Sequence, residues 1–315
     1  MINWGIIGAG NIAHRFANSL EEVENAKLYA VANRTIEKAK QFQKEHPSEK
    51  AYDSYEALLA DEKVDAVYIA LPHKFHLEWV EKAIHAGKAV LCEKPATLSR
   101  FEMQKISVLA KEKKIFFMEA MKSRFSPAYE EVKQLVEAGT IGEVLQVSTT
   151  LCRVFPPTEE SYHYKPIQGG CLLDMGVYNA AFVEDFIEGP FELKNIEYEL
   201  YNEEVEVYVN AEFQAGDQTA VIESAFDRNT ETKAVITGTK GKITVPDFHR
   251  PTSYELQLAE NTEIIEVPYI IDDFFGEITH VMHCLEQGLL ESKTMSLNDS
   301  ENVAELLDQM KDAIN

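Results

Sequence analysis

The chain lacks the cysteine pairs, the positive charge and the long apolar segments that mark several classes of protein. Its four cysteines are scattered without Cys-x-x-Cys spacing, so neither a disulfide framework nor a zinc knuckle is predicted. Lys and Arg number 30 against 53 Asp and Glu, which gives a formal net charge of −23. Such a surface repels phosphate, and this excludes broad contact with nucleic acid or with an anionic membrane.

Apolar runs are short throughout, and none approaches the roughly 18 residues needed to cross a bilayer. The N-terminal segment MINWGIIGAG has no basic region of the kind that begins a secretory signal. Together with thiols outside any disulfide pattern, this predicts a cytoplasmic protein. A hydrophobic content of 45%, with 15 Gly and 11 Pro in 315 residues, is typical of a folded chain long enough for two domains.

The first residues predict a nucleotide-binding turn. A short apolar run at residues 2–7 is followed by GAGNIA, residues 8–13, and then by a helical pattern. In this strand-turn-helix context Gly8 permits a tight turn, Gly10 lets the backbone approach a pyrophosphate, and Ala13 allows close packing of helix on strand. We expect the N–H groups at the helix start to bind phosphate together with the helix dipole.

The second strand, predicted at residues 27–32, ends without the acidic residue that binds the hydroxyls of an NAD ribose. Asn33 and Arg34 follow it instead, and Lys38 lies a few residues further on. Because an arginine can accept a 2′-phosphate, the sequence favours NADP as the cofactor. NAD remains the alternative if Arg34 is only solvated.

Strands and helices continue to alternate up to about residue 122. Buried strands are predicted at 66–72, 89–92 and 114–120, with a helical pattern between each pair. Right-handed crossovers between them give a doubly wound parallel sheet of roughly six strands. We therefore predict an α/β protein with an N-terminal dinucleotide-binding Rossmann domain at residues 1–122.

His73 and His76 follow the predicted strand that ends at Pro72. Their spacing is compatible with metal binding, but the sequence offers no third ligand nearby. We expect one of them to contact the cofactor or to cap the next helix. No metal site is predicted.

The predicted chemistry depends on the stretch AVLCEKPAT, residues 89–97. It brings Glu93, Lys94 and Pro95 to the carboxyl end of a buried parallel strand, the edge where open α/β sheets hold ligands. A lysine ammonium at that edge can exchange a proton with a substrate oxygen. Considered alone, an ordinary solvated lysine is the alternative interpretation.

Beyond residue 122 the hydrophobic period changes to two. Within residues 205–213, Val, Ala and Phe alternate with Glu, Tyr and Asn, which predicts a large, mostly antiparallel sheet in a C-terminal α/β domain at 123–315. Helices are expected on one face of this sheet, so we predict a homodimer formed through the open face. The other predicted strands of this domain are 145–151, 191–201, 219–227, 233–237, 241–245, 253–259 and 262–267, with closing helices at 279–290 and 301–310.

The segment GGCLLDMGVYN, residues 169–179, differs from its surroundings. Asp174 and Tyr178 are four residues apart and share one face if the segment is helical. A carboxylate and a phenol that project together can hold a substrate hydroxyl and relay its proton. The alternative is an acid near a helix start beside a half-buried tyrosine.

GAGNIA, CEKPAT, MEAMKSRFSPA and GGCLLDMGVYN occur in one order and spacing. On these motifs the whole chain resembles the glucose-fructose oxidoreductase, inositol dehydrogenase and MocA family, and is most similar to its dimeric dihydrodiol dehydrogenase and D-xylose dehydrogenase branch. The resemblance implies a Rossmann domain, a second α/β domain and a nicotinamide cofactor. It also implies a substrate that is a sugar, a cyclic polyol or a trans-diol.

The same resemblance implies roles for individual residues. Lys94 is expected to be the principal proton-transfer group, with Asp174 and Tyr178 lining the same site. Many relatives have His where this chain has Tyr178, which leaves open whether Lys94 or Tyr178 delivers the proton. The residues predicted to bind the cofactor are Gly8, Gly10, Asn11, Ile12, Asn33, Arg34, Lys38, Leu71, Pro72, His73, His76, Glu93, Lys94 and Arg124.

The sequence therefore predicts an NAD(P)-dependent oxidoreductase that transfers a hydride between the nicotinamide and a carbinol or carbonyl carbon. Two alternatives stay open, because a fold does not fix a function. One is a non-catalytic NAD(P)-binding sensor of the same fold, and the other is a reductase of a non-sugar carbonyl or imine. The predicted partners are a small-molecule substrate and a second copy of the chain, not nucleic acid or membrane.

Overall fold

A computed structural model describes residues 1–158 and 161–314. The chain divides into two compact units. The first contains Met1–Thr97, Phe101–Lys122 and Ile270–Leu297, and the second contains Leu98–Arg100, Ser123–Tyr269 and the chain from Asn298 onward. The domains 1–122 and 123–315 stay a prediction. The first unit is followed by the second after Lys122, which is the predicted boundary. Residues 98–100 lie in the predicted first domain but belong to the second unit. Residues 270–297 lie in the predicted second domain but belong to the first unit.

Helices and strands alternate in the first part of the chain, and strands dominate the second. The strands are β1 (Ile2–Ile7), β2 (Ala26–Ala32), β3 (Lys50–Tyr52), β4 (Ala66–Ile69), β5 (Ala89–Glu93), β6 (Phe117–Ala120), β7 (Val144–Cys152), β8 (Glu192–Tyr201), β9 (Val205–Ala215), β10 (Gln218–Ala225), β11 (Lys233–Gly238), β12 (Gly241–Pro246), β13 (Ser253–Leu258) and β14 (Asn261–Glu266). The α-helices are α1 (Asn11–Leu20), α2 (Ile36–Glu45), α3 (Tyr55–Leu59), α4 (His76–His85), α5 (Arg100–Lys113), α6 (Pro127–Glu137), α7 (Val177–Phe186), α8 (Phe275–Glu286) and α9 (Leu297–Ile314).

A six-stranded parallel sheet in the order β3-β2-β1-β4-β5-β6 forms the centre of the first unit. This confirms the predicted doubly wound Rossmann sheet. The strand order reverses between β1 and β4, and open α/β sheets bind ligands beyond the carboxyl ends of the strands at such a point. The sequence pattern does not predict β3, because the strand has only three residues, of which one is exposed and two are half-buried, and they form no apolar run.

The core of the first unit lies between this sheet and its helices. All four residues of β4 are fully buried, and the ring of Phe16 in α1 stacks on Tyr68 with their centroids 3.8 Å apart. The indole Nε1 of Trp4 donates to the sulfur of Met282 at 3.3 Å. α8 therefore packs on β1, although more than 270 residues of the chain separate Trp4 from Met282.

The second unit contains an eight-stranded sheet in the order β14-β13-β12-β11-β7-β10-β9-β8. Its neighbouring strands are antiparallel except for the parallel pair β7 and β10, which confirms the predicted mostly antiparallel sheet. Alternate residues of β9 are buried, as the period of two predicts. α7 lies on the buried face, where the Asn179 amide donates to the carbonyl of Glu223 at 2.7 Å and to the hydroxyl of Ser224 at 3.0 Å.

Within residues 1–158 and 161–314, no helix combines the length and the apolar character required to cross a membrane.

Candidate active site

The turn after β1 has the geometry of a phosphate-binding turn. Gly8 has a φ of +101°, and a Cβ added there would lie 2.4 Å from the carbonyl oxygen of Ala70, so the position requires glycine. A Cβ added at Gly10 would meet nothing within 4 Å, which leaves space for a ligand. α1 starts at Asn11 without a side-chain cap, so its first N–H groups point toward that space and suit a phosphate.

A cavity of about 310 Å³ opens at the carboxyl ends of β2, β3 and β4, and Leu71, one of its lining residues, lies next to Gly8. Its size falls within the range of small-molecule sites, roughly 300–1,000 Å³. The guanidinium of Arg34 lies 5.9 Å from the ring centroid of Phe75, and the rings of Tyr55 and Trp79 meet edge to face. An aromatic wall beside a cation suits an adenine ring and a ribose phosphate. The lining residues are Arg34, Asp53, Ser54, Tyr55, Glu56, Leu71, Pro72, Phe75, Glu78 and Trp79.

The loop that carries Arg34 is shaped by the residue before it. The side-chain oxygen of Asn33 accepts a hydrogen bond from the N–H of Thr35 at 3.0 Å, and the N–H of Asn33 donates to the carbonyl of Tyr52 at 3.2 Å. Lys38 is exposed in the first turn of α2. Asn33 therefore fixes the loop, while Arg34 and Lys38 are exposed cations close to it.

His76 joins two loops at the edge of the parallel sheet. It is fully buried, with Nδ1 2.8 Å from the carbonyl oxygen of Pro95 and Nε2 2.7 Å from that of Leu71. Burial lowers its pKa, and the two carbonyls oppose that change. Its ring meets that of buried His73 edge to face at 5.8 Å. His76 therefore helps to position the loops after β4 and β5, and it can affect a bound ligand through these loops.

Lys94 lies half-buried directly after β5, next to a cis peptide bond to Pro95. Because neighbouring strands are ~4.8 Å apart, the end of β5 is about 10 Å along the sheet edge from the end of β1. Glu93 accepts hydrogen bonds from the hydroxyl of Tyr68 and, at 3.3 Å, from the N–H of Lys94. The N–H of Ala96 donates to buried Glu119 at 2.8 Å. Two carboxylates therefore hold the loop that presents Lys94.

Several charged side chains of the first unit are buried close together, and no sequence motif predicts this group. Asp273 accepts from both Lys122 and Arg15. Burial alone would raise its pKa, but the two cations lower it. Glu277 is fully buried, and neither of its oxygens has a hydrogen-bond partner among the described residues. Burial and then the charge of Glu93 raise the pKa of Glu277 well above its usual range, so the fold favours the protonated form of this carboxyl.

Asp174 and Tyr178 lie on adjacent turns of the second unit. Asp174 belongs to a π-helical turn, Leu172–Gly176, and Tyr178 to the first turn of α7. One Asp174 oxygen is 3.5 Å from Nε2 of His163, and the other accepts from the hydroxyl of Tyr162 at 3.5 Å. The ring of His163 stacks on that of Tyr162 with the centroids 4.2 Å apart. Residues 161–166 are aromatic and turn-rich, as expected of a substrate loop, but no sequence motif predicts the contacts of His163 and Tyr162 with Asp174.

Tyr178 is 9% exposed, and its ring meets that of His249 at 5.9 Å and 68°. Nε2 of His249 lies 3.4 Å from the guanidinium of Arg153. The ring of Tyr178 therefore lies beside an imidazole that contacts a guanidinium, and no sequence motif connects His249 with Tyr178.

Arg124 lies in the second unit, and its side chain is 1% exposed. Its guanidinium contacts Glu184 at 2.6 Å and the carbonyl of Ala181 at 2.7 Å, both in α7, and Asp299 of α9 at 3.3 Å. These contacts hold α7 in place. We therefore do not retain Arg124 among the proposed cofactor ligands.

Two family models match most of the chain. The model described as "oxidoreductase family, NAD-binding Rossmann fold" matches residues 2–121, and the "GFO/IDH/MocA C-terminal domain" matches residues 129–244. The chain belongs to the GFO/IDH/MocA oxidoreductase family. This confirms the family predicted from the motifs, and with it an NAD(P)-dependent oxidoreductase.

Dihydrodiol dehydrogenases from two organisms align with nearly the whole chain. The trans-1,2-dihydrobenzene-1,2-diol dehydrogenase of Xenopus tropicalis is 33% identical over 97% of this chain and 96% of its own length. The human enzyme of the same name is 29% identical over 99% and 97%. These two relatives show that the similarity extends through both units.

Solved structures also align with nearly the whole chain. A 3-ketoreductase from Actinomadura kijaniata in complex with NADP and TDP-benzene is 26% identical, with a TM-score of 0.89 and coverage of 99% of this chain and 97% of that one. An aldose-aldose oxidoreductase from Caulobacter crescentus complexed with glycerol has a TM-score of 0.91 at 22% identity, over 99% and 97%. The second likeness concerns the fold alone.

Proposed function

We propose that this protein is an NADP-dependent dehydrogenase that oxidises a secondary hydroxyl of a diol, sugar or cyclic polyol, or reduces the corresponding ketone. The observation that carries the proposal is the position of Lys94 at the carboxyl end of β5, on the same sheet edge as the phosphate-binding turn. The full-length similarity to diol dehydrogenases supports the substrate class.

The cofactor preference depends on Arg34. It is exposed at the mouth of the cavity after β2, where an acidic residue would favour NAD. Asp53 and Glu56 also line this cavity, and their negative charges would repel a 2′-phosphate. The positive charge of Arg34 is therefore needed to offset this repulsion. The ketoreductase with similar structure contains NADP, which supports the same choice here.

Each proposed catalytic residue has a distinct role. The bound nicotinamide supplies or accepts the hydride. In the oxidation direction, Lys94 takes the hydroxyl proton as the C–H hydride leaves the carbinol carbon, and the product is a ketone. Tyr178 and Asp174 are proposed to bind the substrate hydroxyls, with Tyr178 the alternative proton carrier. His163 and Tyr162 hold the carboxylate of Asp174 in place.

A panel assay tests this function. Purified protein is mixed with NADP or NAD and a set of trans-diols, aldoses and inositols, and in parallel with NADPH or NADH and a set of non-sugar carbonyls and imines. The absorbance of the reduced cofactor is followed in both assays. We expect turnover with NADP and at least one of these alcohols. NADPH binding without turnover on any of them would favour the sensor alternative, and turnover only with imines or non-sugar carbonyls would favour the reductase alternative.

Substitution of Lys94 tests the residue that carries the proposal. We expect Lys94→Ala to lower kcat by about 100-fold or more, with cofactor affinity nearly unchanged. Lys113→Ala is the matched control, because Lys113 is an exposed lysine of the same unit, at the end of α5. Undiminished turnover of Lys94→Ala would reject the assignment.

A homodimer through the open face of the eight-stranded sheet is also proposed. Ser148 lies at the centre of that face, between Val221 of β10 and Val235 of β11. These residues are half-buried. A symmetric pair of such faces fits a two-fold dimer. Light scattering should give twice the chain mass of 35.7 kDa, and Ser148→Arg should reduce it, while Asn261→Arg at the exposed start of the edge strand β14 should not.

A further inference from the structure

Three side chains of the first unit converge where α1 faces the C-terminal end of α2. Nδ1 of His14 lies 2.9 Å from Nε2 of His46 and 3.4 Å from a carboxylate oxygen of Glu45. All three ligand atoms lie within 4.8 Å of one another. None of these residues lines the cavity that contains Arg34, so this cluster is separate from the proposed cofactor site.

The two imidazoles are held by a shared apolar contact. The ring of Phe42, which is 1% exposed, lies 4.4 Å from that of His14 and 4.7 Å from that of His46, measured between centroids. The N–H of His46 donates to the carbonyl of Phe42 at 2.8 Å. The rings are therefore oriented toward each other before any ligand binds, which lowers the cost of binding one.

The two ring nitrogens of His46 have different surroundings. Its Nδ1 is buried and has no hydrogen-bond partner among the described residues, so Nε2, which faces His14 and Glu45, is the nitrogen through which this ring interacts.

The distances are close to those of a tetrahedral zinc site. Zn–N bonds of about 2.0–2.1 Å at tetrahedral angles place two nitrogens ~3.3 Å apart. The observed 2.9 Å between His14 and His46 reaches that value through a small rotation of His14, whose side chain is 32% exposed. Glu45 is 48% exposed, which gives an ion access to the site.

We propose that His14, Glu45 and His46 bind a divalent transition-metal ion of the zinc class. Two imidazoles and one carboxylate are ligands that Zn²⁺, Ni²⁺ and Cu²⁺ prefer, whereas Mg²⁺ and Ca²⁺ prefer oxygen alone. Water completes the coordination on the exposed side. The ion ties the phosphate-binding helix α1 to the end of α2. This departs from the sequence analysis, because His14 and His46 are 32 residues apart and form no motif.

Metal binding by the full, untagged chain tests the proposal without reference to activity. The protein is freed of metal with a chelator and titrated with ZnCl₂, NiCl₂ or MgCl₂. We expect one Zn²⁺ or Ni²⁺ per chain by calorimetry, a rise of Tm by a few degrees because the ion binds the folded state, and no effect of Mg²⁺. Co²⁺ should give the visible absorption of a low-symmetry site with nitrogen ligands.

Variants locate the site. His14→Gln and Glu45→Gln replace partly exposed side chains and should leave the metal-free Tm nearly unchanged, while weakening Zn²⁺ binding by about tenfold or more. His85→Gln is the control, because His85 is an exposed histidine elsewhere in the same unit. Absence of Zn²⁺ binding, or binding of equal strength in His14→Gln and the unaltered chain, would overturn the proposal.

Discussion

Nδ1 of His76 lies 2.8 Å from the carbonyl oxygen of Pro95, and this contact links α4 to the loop that presents Lys94. Nε2 of the same ring contacts the carbonyl of Leu71, at the edge of the cavity after β4. The buried ring therefore helps to position a cavity wall and the proposed proton-transfer residue, Lys94. A displacement of about 1 Å in such a group can cost ~100-fold in rate.

We predict that His76→Phe, which keeps a ring but removes both nitrogens, lowers kcat by about tenfold or more. It should also raise the KM for the cofactor. His76→Gln retains a donor and should recover part of both losses. Steady-state kinetics at saturating and limiting NADPH measure the two effects, with His85→Gln at the other end of α4 as the control. Kinetics of His76→Phe equal to those of the control would show that the loops do not depend on this ring.

The two glycines of the phosphate-binding turn should respond differently to the same substitution. Gly8→Ala places a Cβ against the carbonyl of Ala70 at a positive φ, so both stability and cofactor binding should fall. Gly10→Ala meets open space in the free protein, so Tm should stay within about 2 °C of that of the unaltered chain. Its cofactor dissociation constant should still rise about tenfold, because the methyl group occupies the path of the pyrophosphate.

Thermal unfolding and NADPH fluorescence titration separate these two cases. Equal cofactor affinity in Gly10→Ala and the unaltered chain would show that the pyrophosphate does not approach that backbone.

Arg34→Ser should change cofactor selectivity. We expect the KM for NADPH to rise about tenfold or more, since a charged hydrogen bond is worth roughly 1.5–3 kcal/mol, while the KM for NADH changes little. Lys38→Ala, on the exposed first turn of α2, should have a smaller effect. Kinetics with both cofactors give the ratio. A parallel change for NADH and NADPH would mean that Arg34 does not contact a 2′-phosphate.

Asp174 and His163 should act as a pair on the substrate side. Asp174→Asn removes the charge and should lower kcat/KM by about 100-fold. His163→Gln removes the ring that lies 3.5 Å from the carboxylate and should cost about tenfold by leaving Asp174 less fixed. In the double variant the losses should be less than additive, because both act through one carboxylate. Full additivity would show that the two residues act independently.

Glu277 should make the stability of the protein depend on pH. Its pKa is raised above the ordinary 4.5, so the folded state keeps this proton at pH values where the unfolded chain has lost it. The stability that it contributes is therefore present below about pH 4.5 and is lost as the pH rises toward the folded-state pKa. Glu277→Gln mimics the neutral acid and does not lose this contribution.

Urea unfolding at acidic, neutral and mildly alkaline pH tests this dependence. The variant should gain free energy of unfolding relative to the unaltered chain as the pH rises. Glu62→Gln, at an exposed position in the same unit, should show no such trend. A difference between Glu277→Gln and the unaltered chain that stays constant with pH would contradict the prediction.

The sequence by itself determined the local features of this protein. Apolar runs of the right length, separated by helical periods, specify parallel strands, and the spacing of Gly8 and Gly10 specifies a phosphate-binding turn. The period of two in β9 likewise specifies the antiparallel sheet. These signals are readable because they depend on neighbouring residues along the chain.

Only the tertiary structure decided which distant groups meet. It brought His14 to His46, His76 to Pro95, and His163 to Asp174. It also enclosed Arg124 among carboxylates and buried Glu277. In the sequence a buried charge looks the same as a solvated one. The difference between them is the loss of water and the choice of partner, and both are set by chain segments far apart in the sequence.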